Sequence, residues 1–137
     1  MKKIAFVYTS MGGLVETTRK LAAERLPGVE TVHIADSGLV GDIIRAGEIT
    51  PAVRRRLMYQ FESAAAAGAD AIVCACSSVG AITEMADMLL DVPVIRIDQA
   101  MIDEAVANYD RIGVLASVES AIGPTTDCIR RAASRAC

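Results

Sequence analysis

The stretch Asp70-Ala-Ile-Val-Cys-Ala-Cys-Ser-Ser-Val-Gly80 decides how this chain is read. Its apolar run, Ala71 to Ala75, is too short for a buried helix and reads as a strand covered on both faces, the pattern of a parallel sheet. The run ends in a thiol and two hydroxyls, Cys76, Ser77 and Ser78, before Val79 and Gly80 open a helical pattern. In open α/β sheets ligands bind at the carboxyl ends of the strands. A helix N-terminus favours an anion there, and a thiolate is one such anion. Cys76 is therefore the first candidate for chemistry.

The flanking sequence repeats the pattern. Lys3 to Thr9 is a second continuous apolar run, broken by Thr9-Ser-Met-Gly-Gly13. Leu14 to Leu26 has helical spacing and stops at Pro27-Gly28. Thr31 to Ile34 reads as a strand, and Asp36-Ser37-Gly38 as a cap for a short helix over Leu39 to Ala46. Thr50-Pro51 is a helix start, Thr at the cap and Pro in the first turn, for a helix reaching Ala67 and ended by Gly68. After the central strand come a helix from about Val79 to Leu90, a strand over Val92 to Ile97, and a helix capped by Asp98 from Gln99 to Asn108. Arg111 to Ala116 reads as a fifth strand, Ser117 to Ser120 as its exit loop, and the remainder as a last helix. Strands alternating with helices predict an α/β fold with a doubly wound parallel sheet, flavodoxin-like.

Composition narrows the function classes. A length of 137 residues suits one domain with a real core. Hydrophobic residues make up 53% but aromatics only 4%, so the core must be aliphatic. The methionines, at helical spacing, read as core filler. A net charge of -3 leaves no electrostatic footprint for nucleic acid. Arg54-Arg55-Arg56, the one basic run, reads as a solvated helix face. No apolar segment approaches the ~20 residues needed to span a bilayer, and Met1-Lys2-Lys3 lacks a signal-peptide core behind it. The expectation is a cytoplasmic protein, with Cys74, Cys76, Cys128 and Cys137 as free thiols.

Three strand ends thus carry hydroxyls or a thiol: Thr9 and Ser10 after Tyr8, Cys76 with Ser77 and Ser78, and Ser117 with Ser120. Parallel strands place those ends along one edge, where neutral donors beside helix N-termini suit a carboxylate or a phosphate. Cys74, two residues earlier on the same face, reads as core. The Cys-Ala-Cys pair makes a poor zinc site, because zinc wants four ligands and the sole histidine, His33, lies on another strand. His33 itself reads as a strand or core residue. A flavin at the Thr9 to Thr17 loop would need aromatic rings to stack on, and of Tyr8, Tyr59 and Tyr109 only Tyr8 lies near a strand end.

The chain resembles the aspartate/glutamate racemase superfamily, in particular its hydantoin-racemase-like branch. The resemblance runs through Tyr8-Thr9-Ser10, Ile49-Thr50-Pro51, Gly68-Ala69-Asp70-Ala71-Ile72, Cys76-Ser77-Ser78-Val79-Gly80, Val92-Pro93-Val94 with Ile97-Asp98, Arg111 to Ala116 and Gly123-Pro124-Thr125. The Cys-Ser-Ser and Arg-Ile-Gly-Val-Leu-Ala segments are its most specific parts. It implies a cofactor-independent racemase or isomerase of a small carboxylate, such as an amino acid, or of a hydantoin-type compound, with Cys76 as the proton-transferring thiol. It places the carboxylate against Thr9, Ser10, Ser77, Ser78, Ser117 and Ser120, the family more often having Thr where this chain has Ser117. The implied partners are a small carboxylate substrate and a second copy of the chain, with no metal, nucleic acid or membrane.

Members of that family are longer and two-lobed, with a second proton-transferring residue in the other lobe. By that pattern residues 1–109 form the first lobe and 110–137 the first strand and helix of an incomplete second one. The chain then reads as the front part of a longer protein or as a shortened form, inactive by itself. Neither Cys128 nor Cys137 sits at a strand end, so neither matches the second position. Two other readings stand beside the racemase: decarboxylation of a malonate-like acid through the single matched cysteine, and a non-catalytic module binding flavin or phosphate in the same cleft.

Overall fold

The computed structural model describes residues 1–136. Four parallel strands, β1 (Lys3–Tyr8), β2 (Glu30–Ala35), β3 (Ala71–Cys74) and β4 (Val94–Arg96), form one sheet in the order β2-β1-β3-β4. Six helices accompany them: α1 (Gly13–Arg25), α2 (Leu39–Ala46), α3 (Pro51–Ala66), α4 (Gly80–Leu89), α5 (Gln99–Asn108) and α6 (Glu119–Ala136). This is the α/β architecture expected, and β3 lies inside the sheet between β1 and β4.

Alternation along the strands sorts the core into two layers. Ala5, Val7, Ile72, Cys74 and Val94 face a large cluster with Leu39 and Ile43 of α2, Val53, Leu57, Phe61 and Ala64 of α3, and Ile82 and Ala86 of α4. Phe6, Tyr8 and Ala75 face the other way, against Ala22 of α1. His33 stacks on Phe6, with ring centroids 5.3 Å apart, and its Nδ1 shares a 2.8 Å hydrogen bond with the Tyr8 hydroxyl. Burial first, then the charge of Arg19, holds this imidazole below its usual range. Of the methionines, Met1, Met11, Met88 and Met101 are exposed rather than filling the core.

Local signals explain most boundaries. Thr50 accepts a hydrogen bond from the Val53 amide at 3.3 Å, with Pro51 in the first turn of α3. Gly68, which follows α3, sits at φ 78°, a conformation glycine adopts without cost. The cap expected at α2 takes another form: the helix starts at Gly38 with no side-chain cap, while Asp36 accepts the Gly38 amide at 2.9 Å. Asp36 and Asp42 also hold Arg56, so this member of the basic run, its side chain still 40% exposed, pairs across α3, α2 and the end of β2 rather than standing free.

Arg111 to Ala116 departs from expectation. It forms no strand and instead lies along a small apolar cavity with Met101 and Ile102 of α5 and Ile129 of α6. The edge of the sheet gives the reason. Ile72 donates to Pro93, and Ile97 donates to Cys74, so the amide of Val94 faces away from β3. Asp87 takes that outward amide at 2.8 Å, blunting the edge a fifth strand would need.

Leu57 is fully buried in the larger layer. Leu57→Ala should lower the free energy of unfolding by about 2–5 kcal/mol, read from urea denaturation.

Candidate active site

The candidate site is the carboxyl edge of the sheet around Cys76. The Ala75 amide donates to Val7, which carries the ladder past the end of β3. β1 and β3 pair as far as Val7 and Cys74, so Thr9 and Cys76 both leave the sheet at its carboxyl edge. Cys76 is half-buried in extended backbone, and Ser77–Val79 then form one 3-10 turn leading into α4. The turn closes on the residue that carries the thiol, the Val79 amide donating to the Cys76 carbonyl at 3.4 Å.

The hydroxyls fall into two groups. Ser78, buried, and Ser120, in the first turn of α6, share a hydrogen bond of 2.9 Å across 42 positions of sequence. α6 thereby folds back over the turn that follows Cys76. Thr9 is buried and its carbonyl accepts the Val40 amide, while Ser10 and Ser77 are half-buried at the same edge. Ser117 is exposed ahead of α6 and stands apart from the Ser78–Ser120 pair. A cavity of about 630 Å³ opens on Ser120, between α2 and the start of α6; Cys76 does not line it.

The thiols differ in their surroundings. Cys74 is buried in the core, and burial pushes it up to about 12; Thr83 opposes that weakly, and Cys76 adds a second potential negative charge nearby. Cys128, on α6, is buried against α5, its thiol 3.7 Å from Gln99 Oε1, and burial raises it too. Cys137 lies outside the described residues. Cys76 is half-buried whereas Cys74 and Cys128 are buried, although Cys128 touches a cavity of about 600 Å³ that Arg96 and Arg131 also line.

Sequence reasoning missed the charged brace behind this edge. Arg96, the last residue of β4, makes a two-pronged ion pair with Asp98 (Nε to Oδ1 and Nη2 to Oδ2, both 2.9 Å), and its Nη1 reaches Glu84 at 2.8 Å. Arg96 and Asp98 are 5% and 6% exposed, so the pair is internal. Asp98 therefore does not cap α5 with its side chain, because the charge-assisted bidentate contact outcompetes a neutral amide. Burial alone would raise the Asp98 carboxyl; the Arg96 hydrogen bonds and charge, helped by Ser77, hold it below the usual carboxylate range. The guanidinium also lies on Gly80, where any Cβ would collide with it. The signal in the sequence was a basic and an acidic residue on either side of Ile97, just past the edge strand.

A family model described as Asp/Glu/hydantoin racemase matches residues 12–137. The chain belongs to that family. No curated protein matches it. Membership supports a racemase-type function, and the α/β sheet with its open carboxyl edge is consistent with the family's fold. Among the described residues of this racemase-family chain, no helix is long and apolar enough to cross a membrane. Nor do they include a group of three or more His, Cys, Asp or Glu side chains suited to a metal.

The thiolate is the form that reacts with alkylating agents, and burial holds Cys74 in the thiol form at pH 8. Brief iodoacetamide treatment at pH 8, followed by peptide mapping, should label Cys76 well before Cys74 or Cys128. Cys74 should become reactive only as the pH approaches 12 or the protein unfolds. Equal labelling of Cys74 and Cys76 at pH 8 would show that the core does not protect the deeper thiol.

Proposed function

We infer that this chain catalyses cofactor-independent proton transfer at the carbon alpha to a carboxylate, with Cys76 as the base. The observation that carries the reading is the Ser78–Ser120 hydrogen bond, which assembles two hydroxyls over the turn that begins at Cys76. Family membership supplies the reaction class.

The chemistry follows from the difficulty of the step. A carbon acid next to a carboxylate is very weak, so the base must be held close and the charge that develops must meet donors already in place. In this reading the substrate carboxylate sits against Ser78 and Ser120, with Thr9, Ser10 and Ser77 beside it and Ser117 at the rim. The Cys76 thiolate takes the alpha proton, and the electron pair moves into the carboxylate as an enediolate whose oxygens accept hydrogen bonds from the hydroxyls and the turn amides. Return of the proton from Cys76 restores the starting configuration, and delivery from the opposite face inverts it.

A single thiol at the end of a strand, Cys76, also favours a second reading, decarboxylation of a malonate-like acid. Loss of carbon dioxide generates the same enediolate, and Cys76 protonates it. The flavin alternative loses its stacking partner, because the ring of Tyr8 is buried against His33.

Incubation with amino acids, 5-substituted hydantoins and aryl malonates in deuterated water separates the readings. Proton transfer should exchange the alpha hydrogen for deuterium without releasing carbon dioxide; decarboxylation should give both. Cys76→Ala should slow either reaction by about 10²-fold or more, the usual contribution of a positioned acid or base. Unchanged turnover by that variant would remove Cys76 from the mechanism.

A further inference from the structure

The cavity beside the hydroxyl pair has a character that speaks to the substrate. It holds about 630 Å³, within the range of small-molecule sites, and Ser120 is part of its wall. Ile43 and Ile44 of α2 form one side, and Val118 and Pro124 the other. Among the described residues, the one ionisable side chain lining it is that of Glu119, a carboxylate.

Neither helix flanking the cavity brings a cation to it. Arg45, the one basic residue of α2, is paired with Asp42 at 2.8 Å and does not line the space. On α6 the first basic residue is Arg130, ten positions beyond Ser120, a distance of about 15 Å along the helix. A substrate anchored by one carboxylate at Ser78 and Ser120 would therefore push its other substituent among isoleucine, valine and proline. An apolar group is buried there and leaves water, which is favourable. A second carboxylate would lose hydration, find no basic partner in the lining and meet Glu119.

We propose that this site selects monocarboxylates carrying an uncharged, apolar or aryl substituent, and rejects dicarboxylates of the aspartate and glutamate type. The proposal rests on the reading of Ser78 and Ser120 as the carboxylate site. The cavity is the specificity pocket, Ile44 and Val118 at its mouth set the preference, and Glu119 reinforces it by repelling a second negative charge.

Binding of phenylacetate and of succinate to the full chain, measured by calorimetry at one pH and ionic strength, tests the proposal. Phenylacetate should bind at least ~10-fold more tightly, a difference of about 1.4 kcal/mol. Ile44→Arg, at a position 59% exposed and so tolerant of a charged side chain, should reverse the order by supplying the missing cation. Equal affinities, tighter succinate, or no binding of phenylacetate would overturn the proposal, as would a preference untouched by Ile44→Arg. Ser120→Ala isolates the underlying reading, since it should weaken both acids alike. If it leaves both affinities unchanged while phenylacetate stays preferred, the carboxylate assignment fails and the apolar preference of the cavity stands.

Discussion

The parallel pairing of β3 between β1 and β4 is the constraint on which the rest of the structure depends. A parallel strand with neighbours on both sides cannot shift register without turning its core residues outwards. Cys74 is locked into the larger core layer, so the chain must leave the sheet at Ala75 and present Cys76 at the carboxyl edge. The same pairing sets the end of β1, and hence Thr9, alongside. A half-buried thiol among hydroxyls is thus a consequence of where the aliphatic core lies.

Behind that edge the Arg96–Asp98–Glu84 network acts as a brace. Buried ion pairs are weak sources of net stability, because the cost of removing two charges from water offsets much of their attraction. What the pair contributes here is geometry. Arg96 rests on Gly80 at the start of α4, Asp98 stands close to Ser77, and Thr125 of α6 lies 3.4 Å from the same carboxylate. Arg131 of α6 reaches Glu84 at 2.6 Å. The turn after Cys76 is therefore held from below by β4 and from the side by α6. Inserting any side chain at position 80 would drive the guanidinium away.

Much of this was legible in the residues. The apolar runs ending in Thr9 and Cys76, the Thr50-Pro51 start of α3, and the buried role of Cys74 follow from local pattern and solvation alone. The hydroxyls at the strand ends could be named, but the contact between Ser78 and Ser120 depends on α6 folding back, which no local signal encodes. Asp98 looked like a helix cap because caps are common at that position; the competing guanidinium two residues earlier could only win once both were buried. Arg111 to Ala116 has the composition of a strand, yet strand formation needs a partner edge, and Asp87 had already taken the outward amide of β4. The arginine run does lie on the surface, Arg54 and Arg55 exposed, but the pairing of Arg56 with Asp36 and Asp42 joins positions too far apart in sequence for any local signal.

The central claim is that a carboxylate binds at the carboxyl edge beside Cys76. Amide chemical shifts of the nitrogen-15-labelled chain, followed while an unreactive monocarboxylate such as phenylacetate is added, test it most directly. The account predicts saturable shifts concentrated at Thr9, Ser10, Cys76 to Ser78 and Ser120, with the amides at the opposite, amino-terminal ends of the strands unmoved. Shifts that spare Cys76 to Ser78, or that gather at those amino-terminal ends, would contradict it.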